Sequence, residues 1–156
     1  MIIPFTLNHQ QVYVDVDQDR RLSSILRESF GIAGTQSYCQ RGHCGSCLII
    51  WENKIANSCL IPMGSVPYTD VMTLEGFKNT PILDSILLVF RQNNITLCPY
   101  CQSARILSII NLLHETSKVT ETDILETIET VRCSCTNYDA LQDCIANLTL
   151  IKENYD

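Results

Sequence analysis

Residues 39–59 read CQRGHCGSCLIIWENKIANSC, four cysteines spaced C-x4-C-x2-C-x11-C. Thiols at this density serve disulfides, a zinc site or an iron–sulfur cluster. Three of the four fall in one loop, with Gly42 and Gly45 between them. A loop that curls around an inorganic core needs positive φ and close backbone approach, which glycine permits. Its amides can then point at the sulfurs and stabilise their charge. Zinc sites more often use two separated Cys-x2-Cys knuckles, whereas C-x4-C-x2-C with a distant fourth cysteine is the plant-type [2Fe–2S] spacing. Cys39, Cys44, Cys47 and Cys59 are therefore read as the ligands of one [2Fe–2S] cluster, with zinc as the rival.

Working outward, the whole chain of 156 residues holds nine cysteines. Nine is odd, and a chain without a recognisable secretory leader is expected in a reducing compartment, so a disulfide framework is a poor fit. Beyond the first four lie Cys98, Cys101, Cys133 and Cys135, with Cys144 alone. The second set is spaced C-x2-C-x31-C-x-C. Pro99 suits the first position of a helix, which places Cys98 and Cys101 on one side of a first helical turn. Cys133 and Cys135 project to the same side of an extended segment, and Thr136 or Asn137 can cap the helix that follows. Both pairs then sit at helix N-termini, where backbone dipoles favour thiolates and an anionic cluster. This second group reads as another iron–sulfur site, again with zinc as the rival. Cys144 lies on an apolar helical stripe and is read as a buried structural thiol.

Bulk properties narrow the function. The net charge of −6 disfavours a partner bound through phosphates. The longest apolar run, ILLVF at 86–90, is far shorter than a bilayer requires. The expectation is a cytoplasmic protein with no nucleic-acid partner and no membrane span. No Ser/His/Asp or Cys/His catalytic constellation is apparent, nor a phosphate-binding glycine loop. His43 is read as a loop residue inside a complete four-cysteine set, Trp51 as a packing residue, and the acidic positions at 121–129 as a solvated helix face.

The hydrophobic period changes near residue 78. Before it, IIPFTL and QVYVDV form a hairpin turning at Asn8 and His9, and RLSSILRESF forms a helix with Leu22, Ile25, Leu26 and Phe30 on one face. LIIWE and KIANS are strands meeting across Glu52 and Asn53, and VMTLEG is a last short strand. After it come four helical segments: ILDSILLVFRQ, opened by a Thr80-Pro81 cap; CPYCQSARILSIINLLHE; TETDILETIETV, with a capping box from Thr120 to Asp123 and a stripe of Ile124, Leu125, Ile128 and Val131; and NYDALQDCIANL. The expected fold is α+β, a small mixed sheet crossed by one helix over 1–77, followed by a four-helix unit over 78–156.

With these motifs assembled, the sequence resembles the small iron–sulfur subunit of the molybdenum hydroxylases, the family of xanthine dehydrogenase, aldehyde oxidoreductase and carbon monoxide dehydrogenase. GTQSYCQRGHCGSC resembles the family's first-cluster loop, ANSCLIP the segment of its fourth ligand, and VMTLEG the end of its ferredoxin domain. CPYC and CSCTNY resemble its second-cluster motifs. The resemblance implies an N-terminal β-grasp ferredoxin-like domain and a C-terminal four-helix domain, each holding one [2Fe–2S] cluster. It implies an electron-transfer subunit that converts no substrate itself. Electrons would pass from a molybdopterin-containing large subunit, through the helical domain and then the ferredoxin-like domain, to an FAD subunit. An exposed apolar surface around the second cluster is expected for docking on the large subunit. The chain departs from the family where the family meets molybdopterin: Leu97 stands where a glutamine usually contacts the pterin, CPYCQSA replaces C-G-x-C-T-P-G, and Ser134 and Asn137 replace an arginine and a glycine. None of these changes removes a cysteine. The alternative is a stand-alone two-cluster ferredoxin or redox sensor without a molybdenum partner.

Overall fold

The computed structural model describes residues 1–153, with side chains to residue 151. It is a mixed α+β structure of five strands and five α-helices. Strand β1 (Ile2–Leu7) turns into β2 (Gln10–Asp15) at Asn8 and His9, whose φ of 50° and 68° make the left-handed pair that a tight hairpin requires. Strands β3 (Leu48–Trp51) and β4 (Lys54–Asn57) turn in the same way at Glu52 and Asn53, with φ of 50° and 63°. Both hairpins fall where the sequence places them. Strand β5 (Asp70–Met72) joins them, parallel to β1 and antiparallel to β3, giving the order β2-β1-β5-β3-β4.

Helix α1 (Leu22–Glu28) lies across this sheet and buries Leu22, Ile25 and Leu26 completely. Phe30 follows the helix rather than ending its face, and its ring meets Phe5 edge-on at 5.7 Å. These side chains form one core with Ile3, Ile49, Met63 and Val71. Trp51 is half-buried beside it, its indole N–H donating to Thr69 Oγ1 at 2.9 Å.

Helices α2 (Pro81–Gln92), α3 (Gln102–Glu115), α4 (Glu121–Glu129) and α5 (Tyr138–Glu153) follow. Their shared core includes Ile86, Phe90, Ile106, Ile110, Ile124, Leu141 and Leu148. Thr120 and Asp123 form the expected capping box, each side chain bonding the other's backbone N–H at 3.3 and 2.8 Å. Thr80 occupies the cap position of α2, but its hydroxyl donates back to the Phe77 carbonyl at 2.6 Å and caps nothing. In α4, Ile124 and Ile128 are buried while Leu125 is exposed, so its apolar stripe is narrower than the sequence implies.

Helix α3 is buried around most of its circumference because it serves two cores. Ile106, Ile109 and Ile110 face the other helices. Ala104 packs with Leu48 and Val131, and Leu107 with Ile50 and Met72 on the sheet. This helix sets the helical segments against the strand that follows the first cysteine loop. Among the described residues, no helix is long and apolar enough to cross a membrane.

Candidate metal centres

The first cysteine loop is shaped by left-handed backbone at Gln40, Gly42 and Gly45, with φ of 52°, 68° and 75°. This winding turns consecutive amides inward. The N–H groups of Arg41, His43 and Cys44 each lie 3.4 Å from Cys39 Sγ, and that of Gly42 lies 3.3 Å from Cys59 Sγ. Cys59 sits in a short 3-10 turn, Ser58–Leu60, directly after β4. His43 therefore acts here through its backbone. The packing around Gly42 is close: a β-carbon at this position would stand 2.4 Å from a methyl of Leu60.

The four thiols of this group differ in environment. Cys44, Cys47 and Cys59 are buried and Cys39 is half-buried. Burial pushes the Cys44 thiol up, but hydrogen bonds from Ser46 and the Tyr100 hydroxyl outweigh it and bring the pKa down to about 6. Burial raises Cys47 to about 12, against a lowering hydrogen bond from the Cys59 backbone. Burial by itself keeps the Cys47 thiol protonated, and among the described residues the sulfurs of this group are not drawn together as closely as those of the second.

The second group is more compact. The sulfurs of Cys98, Cys101, Cys133 and Cys135 all lie within 4.8 Å of one another. Contacts run 3.7 Å from Cys98 to Cys101, 3.5 Å from Cys98 to Cys133 and 3.3 Å from Cys101 to Cys135. The geometry corrects one local expectation. Helix α3 begins at Gln102, so Cys98–Cys101 forms a turn ahead of the helix, with the amides of Cys101 and Gln102 donating to the Cys98 carbonyl. Pro99 lies in that turn and not in the helix. On the other side, Asn137 caps α5 as expected, its Oδ1 accepting from Asp139 and Ala140. Burial leads the rise at Cys101 and at Cys133, whereas hydrogen bonds from the group outweigh burial at Cys98 and lower it to about 7.

The two groups touch. The amide of Arg132, beside Cys133, donates to the carbonyl of Cys44 at 3.0 Å. Tyr100, between Cys98 and Cys101, hydrogen-bonds Cys44 and stacks on Tyr38 at 4.6 Å between ring centroids. Sequence reasoning identified neither link, because spacing within a motif carries no information about contact between motifs.

It also missed Arg105. This side chain is 1% exposed, and its Nη atoms donate to the carbonyls of Ile128, Val131 and Cys133 at 3.1, 3.1 and 2.8 Å. The signal was available: one arginine interrupts the apolar run of ARILSII four residues after Cys101.

Leu97 is half-buried against the helical core and the second cysteine group. With Leu87, Phe90, Arg91, Asn94 and Gln102 it lines a cavity of about 440 Å³. The surface beside the second group is thus mixed, not simply apolar. Cys144 is fully buried in the helical core, and burial raises its pKa to about 11.

Tetrathiol sites suit zinc or iron–sulfur clusters, and the donor set alone fits either. Several backbone N–H groups aimed at sulfur, in a first loop wound by positive φ, match the needs of an anionic cluster. The class these features define is an iron–sulfur electron carrier. Residues 73–146 match the family model described as a [2Fe-2S] binding domain. The chain is 30% identical to isoquinoline 1-oxidoreductase subunit alpha of Brevundimonas diminuta, over 92% of this chain and 95% of that one. It is also 30% identical to a probable xanthine dehydrogenase subunit of Bacillus subtilis, over 87% and 78% of the two chains. The crystal structure of quinoline 2-oxidoreductase from Pseudomonas putida 86 superposes with a TM-score of 0.86 at 25% identity, covering 99% of this chain and 96% of that one. The chain belongs to the family of iron–sulfur small subunits of the molybdenum hydroxylases.

Proposed function

We propose that this chain is the electron-transfer subunit of a xanthine dehydrogenase-like oxidoreductase, with Cys39, Cys44, Cys47 and Cys59 holding one [2Fe–2S] cluster and Cys98, Cys101, Cys133 and Cys135 the other. The observation that carries this reading is the junction of two four-thiol groups in one chain through the Arg132–Cys44 hydrogen bond. A thiolate-held cluster of this kind takes up and returns single electrons.

The chain's own residues do the rest. The amides of Arg41, Gly42, His43 and Cys44 disperse thiolate charge at the first group, and the Cys98 amide does so for Cys135 at 3.5 Å. Buried Cys47 and Cys101 keep water from the inner side of each group. Tyr100 and the 130–133 segment hold the two groups against each other, beside the small core of Leu48, Ala104 and Val131.

In this reading residues 1–77 form a β-grasp ferredoxin-like domain and residues 78–156 a four-helix domain. The partners are a molybdopterin-containing large subunit and an FAD-containing medium subunit, and substrate conversion belongs to the large subunit. The complex works in the cytoplasm.

Protein purified from its native cell tests this directly. The expected result is about four iron and four labile sulfide per chain, with two paramagnetic signals on reduction. Zinc without sulfide overturns it. Co-purification with a large molybdenum-containing chain supports the complex, whereas a two-cluster monomer alone supports a stand-alone ferredoxin or redox sensor.

A further inference from the structure

Arg105 carries a charge that the described part of the protein does not balance. A guanidinium stays protonated in a protein, and this one is 1% exposed. The ion pairs among the described residues join Met1 to Asp15 and Arg20 to Glu28, and no carboxylate reaches Arg105. Its Nη atoms meet three carbonyls, and the Tyr138 hydroxyl lies at 3.5 Å. The ring of Tyr138 lies 5.3 Å from Cζ. Its buried Nε has no partner. Carbonyl dipoles and an aromatic face lower the cost of burial, but they supply no net negative charge.

The position of this charge is specific. The Arg105 amide donates to the Cys101 carbonyl at 2.9 Å, so the residue stands one helical turn beyond that cysteine. Its guanidinium binds the Cys133 carbonyl at 2.8 Å. It is thus anchored to both cysteine pairs of the second group, from the buried side.

We propose that Arg105 is the fixed counter-charge of the second cluster, a positioning residue that sets its reduction potential and orients the 131–133 ligand segment. This rests on the reading that Cys98, Cys101, Cys133 and Cys135 hold a [2Fe–2S] cluster. Reduction adds one negative charge to that group, and a nearby fixed cation favours the reduced state. Burial prevents water from screening the effect.

The test is a potentiometric titration of the full-length chain, with the two paramagnetic signals followed separately and the second assigned by its loss in Cys98→Ser. In Arg105→Met the second signal is expected to titrate at lower potential. At the native midpoint its reduced-to-oxidised ratio falls about tenfold, ~59 mV for a one-electron couple, while the first signal is unmoved. Arg105→Lys, which keeps the charge, is expected to restore most of that shift. An unmoved second midpoint in Arg105→Met overturns the proposal, as does an equal shift of both signals or a Lys variant shifted as far as Met. If Arg105→Met does not retain the second cluster, Arg105→Lys decides: retention near the native midpoint supports the counter-charge role, and loss there too overturns it. Zinc without sulfide in the unmodified chain instead overturns the reading of the site, and is visible before any variant is made.

Discussion

The amide of Arg132 donates to the carbonyl of Cys44 at 3.0 Å, so the backbone before one cysteine pair is hydrogen-bonded to the backbone of the other group. Gly45 makes this approach possible. A β-carbon there would stand 2.0 Å from the Thr130 carbonyl oxygen, and the residue already lies at φ +75°.

Gly45→Ala therefore forces the two loops apart and also strains its own backbone. The neighbour is backbone and has no rotamer to give. Left-handed strain of about 1–2 kcal/mol and overpacking of about 1–3 kcal/mol act together. The expected outcome is a chain that melts lower and binds less iron at the first group. Thermal unfolding and iron content per chain check it; a variant with full iron and native melting would show that the junction is more pliable than its geometry implies.

Tyr100 links the groups by side chain. Its hydroxyl bonds Cys44, which keeps its own proton firmly on the phenol and helps lower the Cys44 pKa to about 6. Hydrogen bonds to cluster sulfurs raise reduction potentials. Tyr100→Phe removes the bond and retains the ring that stacks on Tyr38. The first cluster's midpoint is expected to fall, with the second nearly constant and melting within about 1 kcal/mol of native. Separate potentiometric titration of the two signals checks it. This pattern is the reverse of the one expected for Arg105→Met.

The candidate site was legible in sequence where local spacing carries the chemistry. Three cysteines and two glycines in one loop fix the winding that aims amides at Cys39, and the turn residues Asn8, His9, Glu52 and Asn53 fix both hairpins. Arg105 and Tyr100 were not legible, because each acts on a residue distant in the chain. Arg105 reaches Ile128 to Cys133 only after α3 and α4 pack. Helix α3 starts one turn later than its sequence implies, since Pro99 favours a helical first turn and equally a tight turn before one. Nothing local separates the two.

Cys144 is the thiol outside both groups, and its burial predicts a pH dependence with a definite sign. A thiol whose folded-state pKa is raised favours the fold while neutral. Its contribution is complete below the ordinary value of 9.0 and is lost as pH climbs through about 11. Cys144→Ala is expected to cost about 1 kcal/mol at pH 7 through the small void left in the helical core, with iron content unchanged. Between pH 9 and 11 the variant should lose less stability than the native chain. Urea unfolding midpoints across that range test the sign, and loss of iron would make Cys144 a ligand.

Leu97 separates packing from partner contact. It is half-buried between the helical core and the second cysteine group, and it lines the mixed cavity with Arg91, Asn94 and Gln102. In the family pattern a glutamine stands here toward the pterin. Leu97→Gln removes apolar contact worth about 1–2 kcal/mol, which lowers melting by roughly 2–8 °C for a chain of this size. The amide can reach the open side of the cavity, so no buried donor is left without water. Both paramagnetic signals are therefore expected to remain at native intensity and potential. A large loss of the second signal would mean that Leu97 shields the cluster itself, and that the cavity beside it depends on an apolar wall.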